Sequence, residues 1–380
     1  MRLLHLLSFT AVSALTVPSP SGPYSVAMQV VPLEDAARTD PYAPEGDNQK
    51  RRVLLSLFLP VAEASACSPK QTAYMTPGVA AAHGLIAQSI GLPDNTFAAF
   101  EMEICDLAKV SLCRPIPRPK YPVVVFSPGL GNSRMLYTAR ARSLASQGYV
   151  VVTVDHPYDA NIVEFPDGTI VLGADIDDGD NAQLTKNVQV RKDDLAFVLN
   201  QLQKQEFVDS KLAKYPGRLD LTKVVVLGHS LGGAAAAALS ASDPRIRGGM
   251  NLDGRLVDPI LTNGLKKPFL QVGRPGHSTD DPTWNRFWPV LRGAKAELAV
   301  QGALHASFTD LPTLMETLDL PAEAQQGLAQ LLGSIGSSGM DDALSGTLKA
   351  FSDLAFHGKK QSMRQIETRV PSIQVQRISL

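Results

Sequence analysis

Apolar and polar positions along this chain fall into blocks, with short β-branched runs separated by longer stretches of helical spacing. Tyr121 to Phe126, Val150 to Val154, Lys223 to Leu227, Ile246 to Leu252, Pro268 to Val272 and Lys295 to Val300 are compact runs, most of them strongly apolar and bounded by turn residues. Such runs predict strands covered on both faces. Between them Leu136 to Gln147, Asn187 to Gln205, Leu231 to Leu239 and Pro282 to Leu291 read as helices. The alternation predicts an α/β fold, a mostly parallel sheet with helices on both faces. Ahead of it, Tyr24 to Val31 and Arg51 to Val61 predict an antiparallel N-terminal strand pair. An insertion at about residues 67–119 carries an apolar helical stretch, Pro77 to Ile90. The turn Pro166-Asp167-Gly168, between Asn161 to Phe165 and Thr169 to Leu172, predicts a short hairpin near the functional edge. Towards the end, Pro321 to Leu332 and Met340 to Phe356 are helical, and Thr368 to Leu380 reads as a tail, ordered or frayed.

The amino terminus breaks this pattern. Met1-Arg2 precedes an apolar stretch from Leu3 to Val17, small residues stand at Val12-Ser13-Ala14, and Pro18 to Pro23 follows. That is the plan of a secretory signal over residues 1–17, cleaved near Ala14. Its apolar core is too short to span a bilayer, which takes about 20 residues. The expected product is a secreted, extracellular protein whose residues 18–380 form a single domain.

Composition narrows the function classes. With 380 residues, 44% of them apolar, the chain can bury a large core. A net charge of -1 leaves no basic footprint for nucleic acid, so any attraction to a lipid surface must come from apolar side chains. Three cysteines, Cys67, Cys105 and Cys113, imply one disulfide and one free thiol, with all three pairings open. No metal or cofactor is expected: CxxC and HExxH spacings do not occur, and Asp175 to Asp180 lacks the spaced ligands and terminal Glu of a calcium loop.

The chemistry concentrates at Gly228-His229-Ser230-Leu231-Gly232, which follows the run Val224 to Leu227 and precedes Gly233 and the alanines 234–238. Strand, sharp turn and helix in this order form a nucleophile elbow, in which flanking glycines allow a close backbone approach and the serine Oγ stands above the strand ends. A serine needs a base, a carboxylate and an oxyanion hole. Of the histidines downstream, His305 fits best, in the loop Gly302 to Phe308 after the last strand; His277 and His357 read as surface residues. For the acid, Asp253 ends the strand after the elbow helix, on the edge where open α/β sheets build their sites. Asp280 and Asp281, beyond the next strand, remain alternatives, although they also suit caps of the helix that follows. Upstream, Tyr121 to Ser127 empties into Pro128-Gly129-Leu130-Gly131. Such a loop can turn the Leu130 amide, together with that of Leu231, towards a developing oxyanion.

These segments together resemble the platelet-activating factor acetylhydrolase family of the α/β-hydrolase superfamily. The resemblance rests on Phe126 to Gly131, Leu144 to Val151, Val154-Asp155-His156, Gly228 to Gly233, Asn251-Leu252-Asp253 and Leu304 to Phe308. Gly22 to Val26 and Asp40 to Pro44 are similar to stretches of its secreted fungal members. The resemblance implies a calcium-independent serine esterase that removes short or oxidised acyl chains from the sn-2 position of phospholipids. It assigns Ser230 as nucleophile, Asp253 as acid, His305 as base, and Leu130 and Leu231 as oxyanion donors. One departure is Pro128, where the mammalian secreted members carry His. The same machinery also serves other carboxylic esters and polyesters, and a non-catalytic binding protein is the reading from another class. Retention of Ser230, Asp253 and His305 together speaks against the last. Oligomeric state is not legible.

Overall fold

The β-branched runs are buried because both faces of the sheet are covered. Val123 to Val125, Val150 to Val152 and Val224 to Val226 are all at most 1% exposed. The computed structural model describes residues 14–44, 46–62, 67–89, 91–110 and 118–380. Residues 1–13 of the expected leader, Ile90 and Cys113 lie outside the described residues. The strands are β1 Leu15–Val17, β2 Ser25–Thr39, β3 Lys50–Val61, β4 Pro69–Ala73, β5 Phe100–Cys105, β6 Lys120–Ser127 and β7 Val150–Asp155. They continue with β8 Ile162–Glu164, β9 Ile170–Leu172, β10 Arg218–His229, β11 Ile246–Leu252, β12 Phe269–Gly273, β13 Lys295–Val300 and β14 Ile373–Ser379.

The main sheet runs β1-β5-β2-β3-β7-β6-β10-β11-β12-β13-β14, with β4 paired to β5. From β7 to β13 every neighbouring pair is parallel. The antiparallel pair β2 and β3 precedes this block, with β3 antiparallel to β7. The expected α/β-hydrolase architecture is therefore the one observed. Two additions escape the hydrophobic-run reading. The insertion supplies β4 and β5 as well as its helix, and β14 closes the far edge antiparallel to β13. In β5 the physical signal is period two: Phe100 and Met102 are 1% exposed while Glu103 faces out. That strand needs only one buried face.

Cys67 and Cys105 form the disulfide, tying the start of β4 to the end of β5. With a sequence separation of 38 between the partners, the loop-entropy account gives such a bridge a stabilisation of about 4 kcal/mol. The helix Pro77–Ser89 buries Val79, Ala80, His83 and Ala87 and leaves Leu85 and Ile86 at the surface. The hairpin expected after β7 is present as β8 and β9. Asp180 caps the helix Asn181–Leu202, accepting from the Ala182 amide at 2.8 Å, so that helix starts six residues before the apolar pattern does.

Register fixes where chemistry can sit. Gly228 of β10 lies level with Ser127 of β6 and Asn251 of β11, Leu252 with Val272 of β12, and Gly273 with Ala299 of β13. The loops after these strands consequently share one edge of the sheet.

Candidate active site

Ser230 sits between β10 and the helix Leu231–Ser242 with φ 54° and ψ -128°. Its amide donates to the Leu252 carbonyl at 2.9 Å, and its own carbonyl accepts from Gly233 at 2.8 Å. A left-handed serine held from both sides carries the strain expected of an elbow. The glycines are required sterically: a Cβ on Gly228 would lie 2.0 Å from the Gly232 carbonyl oxygen, and one on Gly232 would lie 2.0 Å from that of Ser127.

Asp253 follows β11 and is also left-handed, with φ 52°. Its Oδ2 lies 2.7 Å from His305 Nδ1. The pair combines a buried carboxylate with a half-exposed imidazole, so the Nε2 side of His305 remains open to solvent and substrate. Asp280 and Asp281 are placed differently. Asp280 pairs with Arg274 at 2.8 Å, and Asp281 accepts from the amide and hydroxyl of Thr283, both at 2.9 Å.

One expectation is corrected. His277, which reads as a surface residue in its Gly/Pro loop, is buried, its ring centroid 4.1 Å from that of Trp284 at a tilt of 36° and its Nδ1 2.8 Å from Asp253 Oδ1. The sequence shows a polar loop there; the enclosure comes from Trp284, seven residues on, and from the Asp253 carboxylate, 24 residues back at the end of the neighbouring strand. Burial alone would raise the pKa of Asp253, yet hydrogen bonds from His277, His305 and the Arg274 amide hold it far below the carboxylate range. His357, at the end of the helix Gly336–His357, is exposed as expected.

The amides of Leu130 and Leu231 have no acceptor among the described residues. The loop that carries Leu130 is instead pinned through its carbonyls. Arg191, buried in the helix Asn181–Leu202, donates to the carbonyl oxygens of Pro128 and Gly129 and to Ser127 Oγ, and pairs with Asp159. Carbonyls drawn to one side leave the loop's N-H groups for the other. Arg191 lay in a helix read only for its apolar spacing, and no local signal marks it.

A second tie runs through Tyr137 and His229. The Tyr137 hydroxyl accepts from the Gly129 amide at 3.0 Å and from Asn132 Nδ2 at 2.8 Å, and lies 2.8 Å from His229 Nδ1. His229 Nε2 donates to the His305 carbonyl at 3.1 Å, so its Nδ1 accepts from Tyr137. Burial and the neighbouring His305 lower the His229 pKa to about 3, which keeps this ring neutral. One hydrogen-bonded path thus joins the Leu130 loop to the His305 loop.

Comparisons with known proteins agree with this geometry. The family model described as Alpha/beta hydrolase family matches residues 124–355. The chain belongs to that family. A second model, Platelet-activating factor acetylhydrolase, isoform II, matches residues 10–167, in line with the resemblance read from the sequence. The chain is 29% identical to a probable 1-alkyl-2-acetylglycerophosphocholine esterase of Arthroderma benhamiae, over 80% of this chain and 78% of that one. It is 26% identical to the platelet-activating factor acetylhydrolase of Cavia porcellus over 50% of this chain and 49% of that one. The match therefore spans about half the length of this vertebrate relative. Among solved structures, a ferulic acid esterase from Streptomyces cinnamoneus superposes with a TM-score of 0.73 at 27% identity, covering 96% of this chain and 100% of that one. These findings make the chain an enzyme of the carboxylic ester hydrolase class, similar to the platelet-activating factor acetylhydrolases.

Tyr137→Phe would strip the Gly129 amide and Asn132 of their acceptor and His229 of its donor. A loss of about 1–3 kcal/mol in urea unfolding is expected, the scale of buried polar groups left unpaired. Unchanged unfolding would show that the path through Tyr137 does not hold the two loops together.

Proposed function

We propose that the chain is a serine esterase cleaving short or oxidised sn-2 acyl esters of phospholipids without calcium. The observation that carries this reading is the 2.7 Å contact of His305 with Asp253 on the strand directly after the elbow, on the edge that presents Ser230. Ser230 Oγ attacks the ester carbonyl while His305 Nε2 takes its proton, and Asp253 orients the imidazole and balances its charge. The tetrahedral oxyanion receives the Leu130 and Leu231 N-H groups. Collapse expels the lysophospholipid alkoxide with the proton held by His305 and leaves an acyl-Ser230. Water, deprotonated by His305, then releases the fatty acid. The two amides supply the charge stabilisation that a metal ion supplies elsewhere, so a chelator is expected to leave the rate unchanged.

A fluorophosphonate should label the protein, and Ser230→Ala should abolish labelling. Asp253→Asn should lower kcat by on the order of 10⁴, as in the serine-protease precedent. Full labelling of Ser230→Ala would overturn the assignment. Rates against esters of increasing acyl length, with and without a phosphocholine head group, test the substrate. Preference for hydroxycinnamate esters, as the name of the Streptomyces neighbour suggests, would overturn the phospholipid reading and keep the mechanism.

The stretch Val79 to Ile90 is our proposed contact with a lipid surface. Leu85 is 72% exposed and Ile86 43%, on the helix Pro77–Ser89. That helix rests on β8 through the Gly78 amide and Glu164 at 2.7 Å, and β9 adds Ile170 and Leu172, 50% and 65% exposed. The hairpin follows Ala160, which bridges Gly131 of the Leu130 loop, so these side chains flank the site. Vesicle co-sedimentation of Ser230→Ala in chelator should fall several-fold when Leu85→Ser and Ile86→Ser are added. Equal partitioning would refute docking through this helix.

Secretion completes the proposal. A leader removed after Ala14 would leave β1, which starts at Leu15 and pairs with Phe100 to Met102, intact in the sheet. The disulfide suits an oxidising compartment. Amino-terminal sequencing of protein from culture medium should begin at Leu15; a start at Met1, or retention in the cell, would reject the leader.

A further inference from the structure

Asp253 serves more than His305. Its Oδ1 receives His277 Nδ1 at 2.8 Å and the Arg274 amide at 2.8 Å, while Oδ2 faces His305 Nδ1 at 2.7 Å. The second ring nitrogen of His277 lies 3.4 Å from Asp281 Oδ2, and Asp281 is itself held by Thr283. Trp284 covers the ring and is anchored through its indole N-H to the Gly254 carbonyl at 2.7 Å. Gly273 makes room at the end of β12: a Cβ there would lie 2.9 Å from Asp253 Oδ1 and 3.2 Å from the His277 Cβ.

The groups that face this ring are few. Asp253 comes from the end of β11, Arg274 from the end of β12, Asp281 from the short helix His277–Asp280 and its cap, and His305 lies across Asp253. Arg274 stands 3.9 Å from Asp253 Oδ2 but is taken by Asp280 at 2.8 Å. A carboxylate hydrogen-bonded at Nδ1 and a second one 3.4 Å from Nε2, at ion-pair distance but outside hydrogen-bond geometry, together favour the imidazolium. Burial opposes that charge, and the contacts with Asp253 and Asp281 outweigh it, raising the pKa to about 9.

We propose that His277 is a positioning residue for hydrolysis. As an imidazolium between Asp253 and Asp281, it fixes the Asp253 carboxylate for His305 and places a positive charge on the far side of that carboxylate. The role at His305 rests on the mechanism proposed above. A lone histidine on a carboxylate leaves the other oxygen free to swing; here Oδ1 is held. A cation on Oδ1 also shares the negative charge that would otherwise favour a proton on His305. Removing it leaves the full carboxylate charge facing His305, which should move the acid limb of the reaction to higher pH.

Three variants and one spectrum test this. His277→Gln keeps a donor for Oδ1 and removes the charge, His277→Phe removes both, and Asp281→Asn removes the outer partner. With a soluble acetyl ester, the acid limb of kcat/KM should move up by about one unit in His277→Gln, for loss of one nearby charge. Asp281→Asn should lower the pH at which His277 loses its proton, read in the nitrogen-15 spectrum. His277→Phe should lower kcat about 10- to 100-fold with KM little changed, and His277→Gln should recover most of that loss. Superimposable pH profiles for the parent and His277→Gln would overturn the proposal, even where His277→Phe does not fold. Nitrogen-15 spectra of the unmodified enzyme should show both ring nitrogens of His277 protonated at pH 7.5, with deprotonation near pH 9. A neutral His277 at pH 7.5 would overturn the clamp whatever the kinetics. Hydrolysis surviving in Ser230→Ala would instead overturn the mechanism, and the spectrum separates that failure from the clamp's own.

Discussion

The structure depends on how closely three neighbouring strand ends approach one another. A Cβ on Gly232 would meet the Ser127 carbonyl oxygen at 2.0 Å, one on Gly233 would meet Asn251 Oδ1 at 1.7 Å, and one on Gly254 would meet the Ser230 carbonyl oxygen at 2.0 Å. No side chain fits at any of these points. The elbow helix therefore rests directly on the ends of β6 and β11, and Ser230, the Leu130 loop and Asp253 are brought together by backbone packing. Loops alone would place them less sharply, since elements with fixed hydrogen bonds hold tighter geometry. Left-handed φ at both Ser230 and Asp253 shows where the chain absorbs that crowding.

Beneath this contact lies an ionic layer that the packing alone does not require. Arg51 spans Asp40 and Asp194, Asp194 also receives His156 at 2.9 Å, and His156 reaches Ser127 Oγ at 3.0 Å. Arg191 and Asp159 continue the layer under the Pro128 and Gly129 carbonyls. Buried charges are costly unless fully paired, and removing one partner strands the other. The layer is thus a weak source of net stability and a strong source of definition. Its guanidinium on the loop carbonyls dictates which way the loop amides face, which is the property an oxyanion hole needs. Asp310 does similar work on the other side, accepting from the Ala139 and Arg140 amides at the start of the helix Thr138–Ser146 while Tyr74 donates to it. It follows His305 by five residues, so the His305 loop is fastened to that helix.

What the sequence made legible is local. The elbow, the strand ending at Asp253 and the loop of His305 all declare themselves within a few residues, by glycine placement and by apolar runs that the structure reproduces in β11 and β13 residue for residue. Arg191, Asp194, Tyr137 and His277 are hidden because each has at least one deciding partner on another element of the fold: the Pro128 and Gly129 carbonyls, Arg51, His229 and Asp253 respectively. A helical arginine reads as a solvated face, and a histidine in the run Pro275-Gly276-His277-Ser278 reads as a surface loop. Period-two burial in β5 was readable in Phe100-Glu101-Met102-Glu103 but was masked by the apolar helix beside it. Strand β14 interrupts its alternation at Gln376-Arg377 and pairs with one strand, β13, so its pattern is too weak to separate from a tail.

The three histidines around Asp253 show how environment, not residue type, assigns the chemistry. His229 is walled in by Tyr137, Phe308 and the His305 ring, with no carboxylate in direct contact; burial and the nearby His305 lower its pKa to about 3, and it stays neutral. His277 is almost as buried but lies between two carboxylates, and its pKa is raised to about 9. Only His305 combines a carboxylate on one nitrogen with exposure on the other side of the ring. A base must gain and lose a proton within one turnover, which neither a ring locked neutral nor one locked as a cation can do near neutral pH. The histidine kept neutral lies against the His305 backbone and the one drawn towards the cation lies against Asp253, so of the three rings His305 is the one with a nitrogen towards solvent.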